Sequence, residues 1–300
     1  MVREYKIHLD LDGNDTVWDV TNGKLRFYTP TDLGIEVANN LWNAGGIGVL
    51  GERAINHPPI EFNLETFGDN VEENYKLINS FISDILSKKF VTLEYRTEWF
   101  QVFADIAISK IPKTEGYGRN GTFSEKITFD IVTKWYTYEN LTFSKLENGE
   151  IIEGVSKIYG GSNLNGYRYI KDKAYTYYGE TNIDRLSHWE IEQPFFSFVA
   201  KLTPADIIDP TNQIGLKFLN ESLNEYSAIL FTLETKPDYI AINTDINDEF
   251  YEATTGTTTI NAFPSLDFQR YRTRIFEKGQ MTLQNLSMVE MKIKRKVDFI

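Results

Sequence analysis

Phe100-Gln101-Val102-Phe103-Ala104-Asp105-Ile106-Ala107-Ile108 sets Phe100, Val102, Ala104, Ile106 and Ile108 at every second position. Ile127-Thr128-Phe129-Asp130-Ile131 repeats the pattern beyond Asn120-Gly121. Strand side chains alternate between the two faces of a sheet, so this spacing predicts half-buried antiparallel strands. Ile60, Phe62 and Leu64 alternate likewise with Glu61, Asn63 and Glu65. Further on, Met291, Ile293, Val297 and Phe299 face one way, and Lys292, Lys294, Lys296 and Asp298 the other. Asp12-Gly13, Asn22-Gly23, Asn120-Gly121, Asn148-Gly149 and Asn165-Gly166 supply residues that tolerate positive φ, as tight hairpins require. The strongest hairpin signal is Asn120-Gly121, between two long alternating runs.

One segment carries the helical period instead. Val71, Tyr75, Ile78, Ile82 and Ile85 recur at three- and four-residue steps, and Leu77, Phe81 and Leu86 widen the stripe. Asn70 with Glu73 forms a capping box, and Lys88-Lys89 suits the C-terminal end of the helix dipole. Residues 1–132 therefore read as a β-sandwich crossed by one helix. Lys134 to Tyr138 leads into a second β-rich region, and a chain of 300 residues fits two domains. Within the second region, Ser144 to Trp189 is rich in Gly, Asn and Tyr and alternates weakly, which marks an insertion projecting from the domain. Pro194, Pro204 and Pro210 mark edges and loops on the return to the core.

Composition excludes several function classes. With no cysteine there are no disulfides, thiolate metal sites or cysteine nucleophiles. The net charge of −12 argues against a phosphate-binding surface, and so against sequence-specific nucleic-acid binding. The strip from Arg270 to Ile300 is basic, with only Glu277, Glu290 and Asp298 against its Arg and Lys residues, and is expected to complement an acidic neighbouring subunit. No run of 18 apolar residues occurs and Met1 to Asp10 lacks the build of a signal peptide, so the expectation is an unprocessed protein made in the cytoplasm, without a membrane span.

The motifs that could carry chemistry fail on context. Gly46-Ile47-Gly48-Val49-Leu50-Gly51 matches G-x-G-x-x-G, but a dinucleotide site needs a strand before it and a helix opening within it. Here the motif runs into Asn56-His57-Pro58-Pro59, so it reads as a flexible or oligomer-contacting loop. Asp10 to Asp15 and Asn243 to Asp248 begin like calcium loops but lack the Gly at the sixth position and the Glu at the twelfth. His8, His57 and His188 have no partner at ligand spacing, and no nucleophile or metalloprotease motif occurs. Neither catalytic residues nor a cofactor is expected. The tyrosines of the insertion are the exception. Tyr159, Tyr167, Tyr169, Tyr175, Tyr177 and Tyr178 interleave with Arg168, Lys171 and Lys173. They fit the core of a small β subdomain, a protein-docking surface anchored by Tyr and Arg, or a stacking platform for bases or sugars.

Several long strings resemble one family. Val2 to His8 with Trp18 to Lys24, Asp84 to Tyr95, Gly121 to Asp130 and Arg270 to Gln280 are similar to distal tail proteins of long-tailed phages, in particular those of lactococcal siphophages. The resemblance spans the whole chain. It implies a mainly β protein with an N-terminal ring-forming domain (1–132) and a C-terminal galectin-like β-sandwich (133–300) carrying an arm at about 144–189. It further implies a structural, non-enzymatic part of the virion at the distal end of the tail. That part would be a homo-hexameric hub whose partners are the tail tube protein, a tail-tip (tail-associated) protein and a receptor-binding protein. The arm tyrosines and Arg168 would then be the partner-binding residues. The competing reading is a carbohydrate-binding module of a phage tail, with Trp135 or Trp189 as an exposed sugar platform.

Overall fold

The computed structural model describes residues 3–113, 122–146, 175–178, 188–205, 211–271 and 276–297. Packing divides the chain into two units, Met1–Thr137 with Lys296–Ile300, and Tyr138–Arg295. Both are built almost wholly of strands, as the alternation predicts.

The first unit contains β1 (Glu4–His8), β2 (Val17–Asp19), β3 (Leu25–Thr31), β4 (Glu36–Ala44), β5 (Ile47–Asn56), β6 (Ile60–Thr66), α1 (Val71–Leu86), β7 (Val91–Arg96), β8 (Gln101–Lys110) and β9 (Ser124–Ile131). Seven strands pair antiparallel in the order β2-β1-β7-β8-β9-β6-β3. The sheet curls until Val20 bridges its ends: the Val20 N–H donates to the Tyr5 carbonyl at 3.2 Å, and the Val20 carbonyl accepts from the Phe27 N–H at 2.7 Å. Inside lie Ile60, Phe62, Leu64, Ile127 and Phe129, the residues that the period of two assigned to the core. Within this interior Tyr5 meets Phe62 edge-on at a ring separation of 5.3 Å, and Phe27 lies tilted against Phe62 at 4.9 Å.

α1 spans the predicted helix. Asn70 accepts the Glu73 N–H at 2.9 Å, while the Glu73 carboxylate accepts from the Asp69 N–H, one residue before the reciprocal bond of a regular capping box. Lys88 lies beyond the last turn, 3.8 Å from Asp10. Only part of the apolar stripe is buried. Ile78, Phe81 and Ile85 face the sheet, whereas Val71, Tyr75 and Leu86 stay exposed.

β8 and β9 pair antiparallel, and Asn120-Gly121 lies outside the described residues. One further expectation needs correction: β8 is not half-buried but buried on both faces from Val102 to Ile106. Phe103 stacks on Tyr136 at 6.0 Å, and Asp105 accepts hydrogen bonds from Thr92 Oγ1 (2.7 Å) and Tyr136 OH (2.8 Å). Both donors reach Oδ1 and replace the water that this oxygen loses in the interior.

The second unit is a two-sheet sandwich. Its strands are β10 (Tyr136–Leu146, which begins in the first unit), β11 (Tyr175–Tyr178), β12 (His188–Ile191), β13 (Ser197–Pro204), β14 (Gln213–Asn220), β15 (Glu225–Thr232), β16 (Tyr239–Asn243), β17 (Phe250–Thr255), β18 (Thr258–Asn261), β19 (Gly279–Gln284) and β20 (Leu286–Lys296). One sheet runs β18-β17-β16-β13-β20-β10, the other β12-β19-β14-β15. Phe198, Ile240 and Ile293 from the first meet Leu216, Phe218 and Met281 from the second in one core. Phe276 packs between them, 4.5 Å from Phe218 and 4.8 Å from Phe195.

Half of the cations in the basic strip have carboxylate partners in their own chain. Lys294 is only 3% exposed, and its Nζ donates to Asp245 Oδ2 at 2.8 Å. Arg270 pairs with Glu225, Arg295 with Glu139 and Lys278 with Glu221. These four cations are paired within their own chain, and Arg272 and Arg274 of the same strip lie outside the described residues.

Candidate functional site

The acidic turns singled out in the sequence are engaged by protein. Asp15 binds His8 Nδ1 at 2.5 Å and the Asp10 N–H at 3.2 Å. Asp245, in the other loop with a calcium-like start, takes Lys294 and the Asn247 N–H. Among the described residues no cluster of three or more His, Asp or Glu side chains could hold a metal ion.

His8 has partners that sequence spacing could not reveal. Its second ring nitrogen lies 2.8 Å from Glu94 Oε2, on β7, and Gln101 Nε2 donates to the other Glu94 oxygen at 2.7 Å. Burial by itself pushes the imidazole pKa down, but the hydrogen bonds to Glu94 and Asp15 outweigh it and hold the pKa above the ordinary histidine value. The hydrogen bond from His8 holds the Glu94 carboxyl below its usual range, against the opposing effect of burial. The cluster ties the Asp10–Asp15 turn to β1 and β7; it is a structural clamp that runs from buried Glu94 to Asp15 at the surface.

The surfaces are more informative. β4 and β5 form a separate two-stranded ribbon, paired with each other and with no other strand among the described residues. Gly45 and Gly46 turn it with φ of 62° and 85°, the left-handed values of a primed hairpin turn. Every residue of both strands is exposed. The register sets Trp42 opposite Val49 and Ala44 opposite Ile47 on one face; beyond the bulge after Asn39, Val37 opposite Ile55 lies with Leu41 and Leu50 on the other. Trp42 is 63% exposed, Ile47 70% and Val49 51%. A Cβ on Gly51 would come within 3.0 Å of the Trp42 indole nitrogen, so the last glycine of G-x-G-x-x-G makes room for that ring. The motif is a hairpin, not a loop. Its signal was the Gly45-Gly46 pair between two apolar runs.

A second apolar surface lies on the same unit. The exposed flank of α1 (Tyr75, Ile82, Leu86) faces Ile108, Ile111 and Phe123 across a groove of about 410 Å³ whose rim carries Lys110 and Lys113.

Of the tyrosines in the insertion, Tyr159, Tyr167 and Tyr169, with Arg168, lie outside the described residues. Tyr175, Tyr177 and Tyr178 are on β11, which pairs in parallel with the end of β10, Phe143 opposite Tyr175 and Leu146 opposite Tyr178. Both proposed sugar platforms are core residues instead. Trp135 is fully buried in the first unit and Trp189 is 5% exposed in the second. A cleft of about 550 Å³ in the second unit, between Leu233, Ile260 and Leu266, has no aromatic ring in its wall. Among the described residues no helix is long and apolar enough to cross a membrane.

A chain with two mainly β units and an apolar ribbon held out from the first is built for contact with other proteins, and known proteins agree with that. The family profile of the distal tail protein N-terminal domain matches residues 5–132, and that of the Dit C-terminal domain matches residues 134–300. Distal tail proteins of Lactococcus phage SK1 and Lactococcus phage p2 are each 62% identical over the full length of both chains. A chain in the structure of the phage p2 baseplate in its activated conformation with Ca superposes with a TM-score of 0.81 at 61% identity, covering 100% of both chains. The crystal structure of the SPP1 Dit protein shares the fold at 9% identity, with a TM-score of 0.52. The chain belongs to the distal tail proteins of lactococcal siphophages, structural components of the baseplate at the end of the virion tail.

Proposed function

We propose that six copies of this chain form the hub ring of the baseplate, joining the tail tube to the tail-tip protein. The ring also anchors receptor-binding proteins for host adsorption, and it does so without catalysis or a cofactor. The observation that carries this reading is the exposed apolar ribbon of β4 and β5. An isolated two-stranded hairpin is marginal in water, and a contiguous apolar surface marks an interaction site. The full-length likeness to a chain of an assembled baseplate supports the same conclusion.

In this reading the second unit is the galectin-like domain, and residues 144–189 are its arm. The arm grips the receptor-binding protein through Tyr159, Tyr167, Arg168, Tyr169, Tyr175, Tyr177 and Tyr178, residue types enriched at binding hot spots. Replacing residues 145–188 with a short Gly/Ser linker tests it. The expected protein is soluble and hexameric by native mass spectrometry but no longer binds the receptor-binding protein. Changing Tyr175, Tyr177 and Tyr178 to Ala should weaken that binding by about 1–2 kcal/mol for each true anchor. An insoluble linker variant refutes the arm, and full-strength binding by it moves the docking site elsewhere.

A further inference from the structure

We propose that the β4–β5 hairpin of one copy seats its tryptophan-bearing face in the groove between α1 and β8 of the next copy. This rests on the ring reading above and names the contact that closes it.

The hairpin supplies the projecting surface. Trp42, Ile47 and Val49 share one face near its tip, and all three are exposed. Their shared face follows from the register, and the missing side chain at Gly51 leaves room for the indole there. Among the described residues nothing closes off this face: Trp42, Ile47 and Val49 are each more than half exposed.

The groove supplies the receiving surface. The apolar stripe of α1 is wider than the face it buries. Ile78, Phe81 and Ile85 are used by the core of the unit, and Tyr75 and Leu86 remain 54% and 64% exposed. A helix whose stripe served only its own sheet would carry polar side chains at those two positions. Across the groove Ile108, Ile111 and Phe123 continue the apolar wall. Charge agrees with the match. Lys110 and Lys113 on the rim have no carboxylate partner among the described residues, and the hairpin is net acidic, with Glu36 and Glu52 against Arg53 on its exposed strands.

The two surfaces are different parts of one chain, so the contact is head-to-tail. A head-to-tail contact repeated by rotation builds a closed ring, whereas a self-complementary patch stops at a dimer.

The absence of cysteine makes the test direct. Val49→Cys on the hairpin face and Leu86→Cys on the groove wall are introduced together in the full-length protein and treated with a short bis-maleimide. The expected product on a denaturing gel is a ladder of covalent multimers. An equimolar mixture of the two single variants should stop at the covalent dimer. Linkage confined to a single chain overturns the proposal, as does dimerisation of V49C alone, which would put two hairpins face to face. A hexamer by native mass spectrometry without the ladder refutes this seat and leaves the ring standing; a monomer at every concentration refutes the ring itself.

Discussion

Replacing His8 with leucine should destabilise the first unit by about 2–3 kcal/mol near pH 6 and by much less toward pH 3 or pH 9. The size follows from what the substitution strands. Glu94 is 4% exposed and would keep only Gln101 as a side-chain donor. Its cheapest escape is to take a proton. From the ordinary value of 4.5, protonation at pH 6 costs about 2 kcal/mol. Loss of the bond to Asp15, whose side chain is 22% exposed, adds about 0.5–1 kcal/mol. The pH dependence has two limbs. The raised pKa of His8 gives a contribution complete below its unfolded value of 6.5 and lost as pH rises through the folded pKa. The lowered pKa of Glu94 gives one complete above 4.5 and lost as pH falls through its folded pKa. Both are complete from about pH 4.5 to pH 6.5, so the penalty should be bell-shaped, with its maximum in that window. Urea unfolding followed by tryptophan fluorescence measures it, since Trp18, Trp42, Trp99 and Trp135 all lie in the first unit and only Trp189 in the second. A penalty that stays level from pH 3 to pH 9, or a leucine variant more stable than the parent, would refute the reasoning.

The second unit should respond in the same way to loss of its buried ion pair. Asp245→Ala leaves Lys294 charged in the interior and should cost about 3–5 kcal/mol, while Asp245→Leu with Lys294→Met should recover most of it; denaturant midpoints of the second transition decide. Asn70→Ala removes the acceptor for the Glu73 N–H and should cost about 1 kcal/mol, read from the transition of the first unit. The helix content by circular dichroism should stay nearly constant, because Phe81 and Ile85 still hold the helix on the sheet.

What the sequence made legible was burial on one face. The alternation at Ile60–Glu65 and Ile127–Ile131 follows from a core on one side and solvent on the other, and the helical stripe from the same cause. Burial on two faces was not legible. Asp105 is interior because Tyr136, 31 positions later, reaches back to it. The same limit hid the His8 clamp, whose Glu94 partner is 86 positions away. The β4–β5 ribbon escaped for the opposite reason: its two faces both meet solvent, so its apolar residues show no clean alternation. The whole helical stripe was legible, and only the structure separates the half that packs inside from the half that lines a groove. Composition brought out the tyrosines of the insertion but gave them no position.

The chain leaves the first unit near Thr137 and comes back to it at Lys296. On its return the Val297 N–H donates to the carbonyl of Trp135 at 2.7 Å, and the Val297 side chain packs against the core of that unit. Without residue 297 the Trp135 carbonyl lacks this donor and the first core lacks this contact. The second unit depends on the same stretch, because β20, Leu286–Lys296, pairs along β13. One segment of about a dozen residues therefore completes both units, and a chain cut short of it can finish neither.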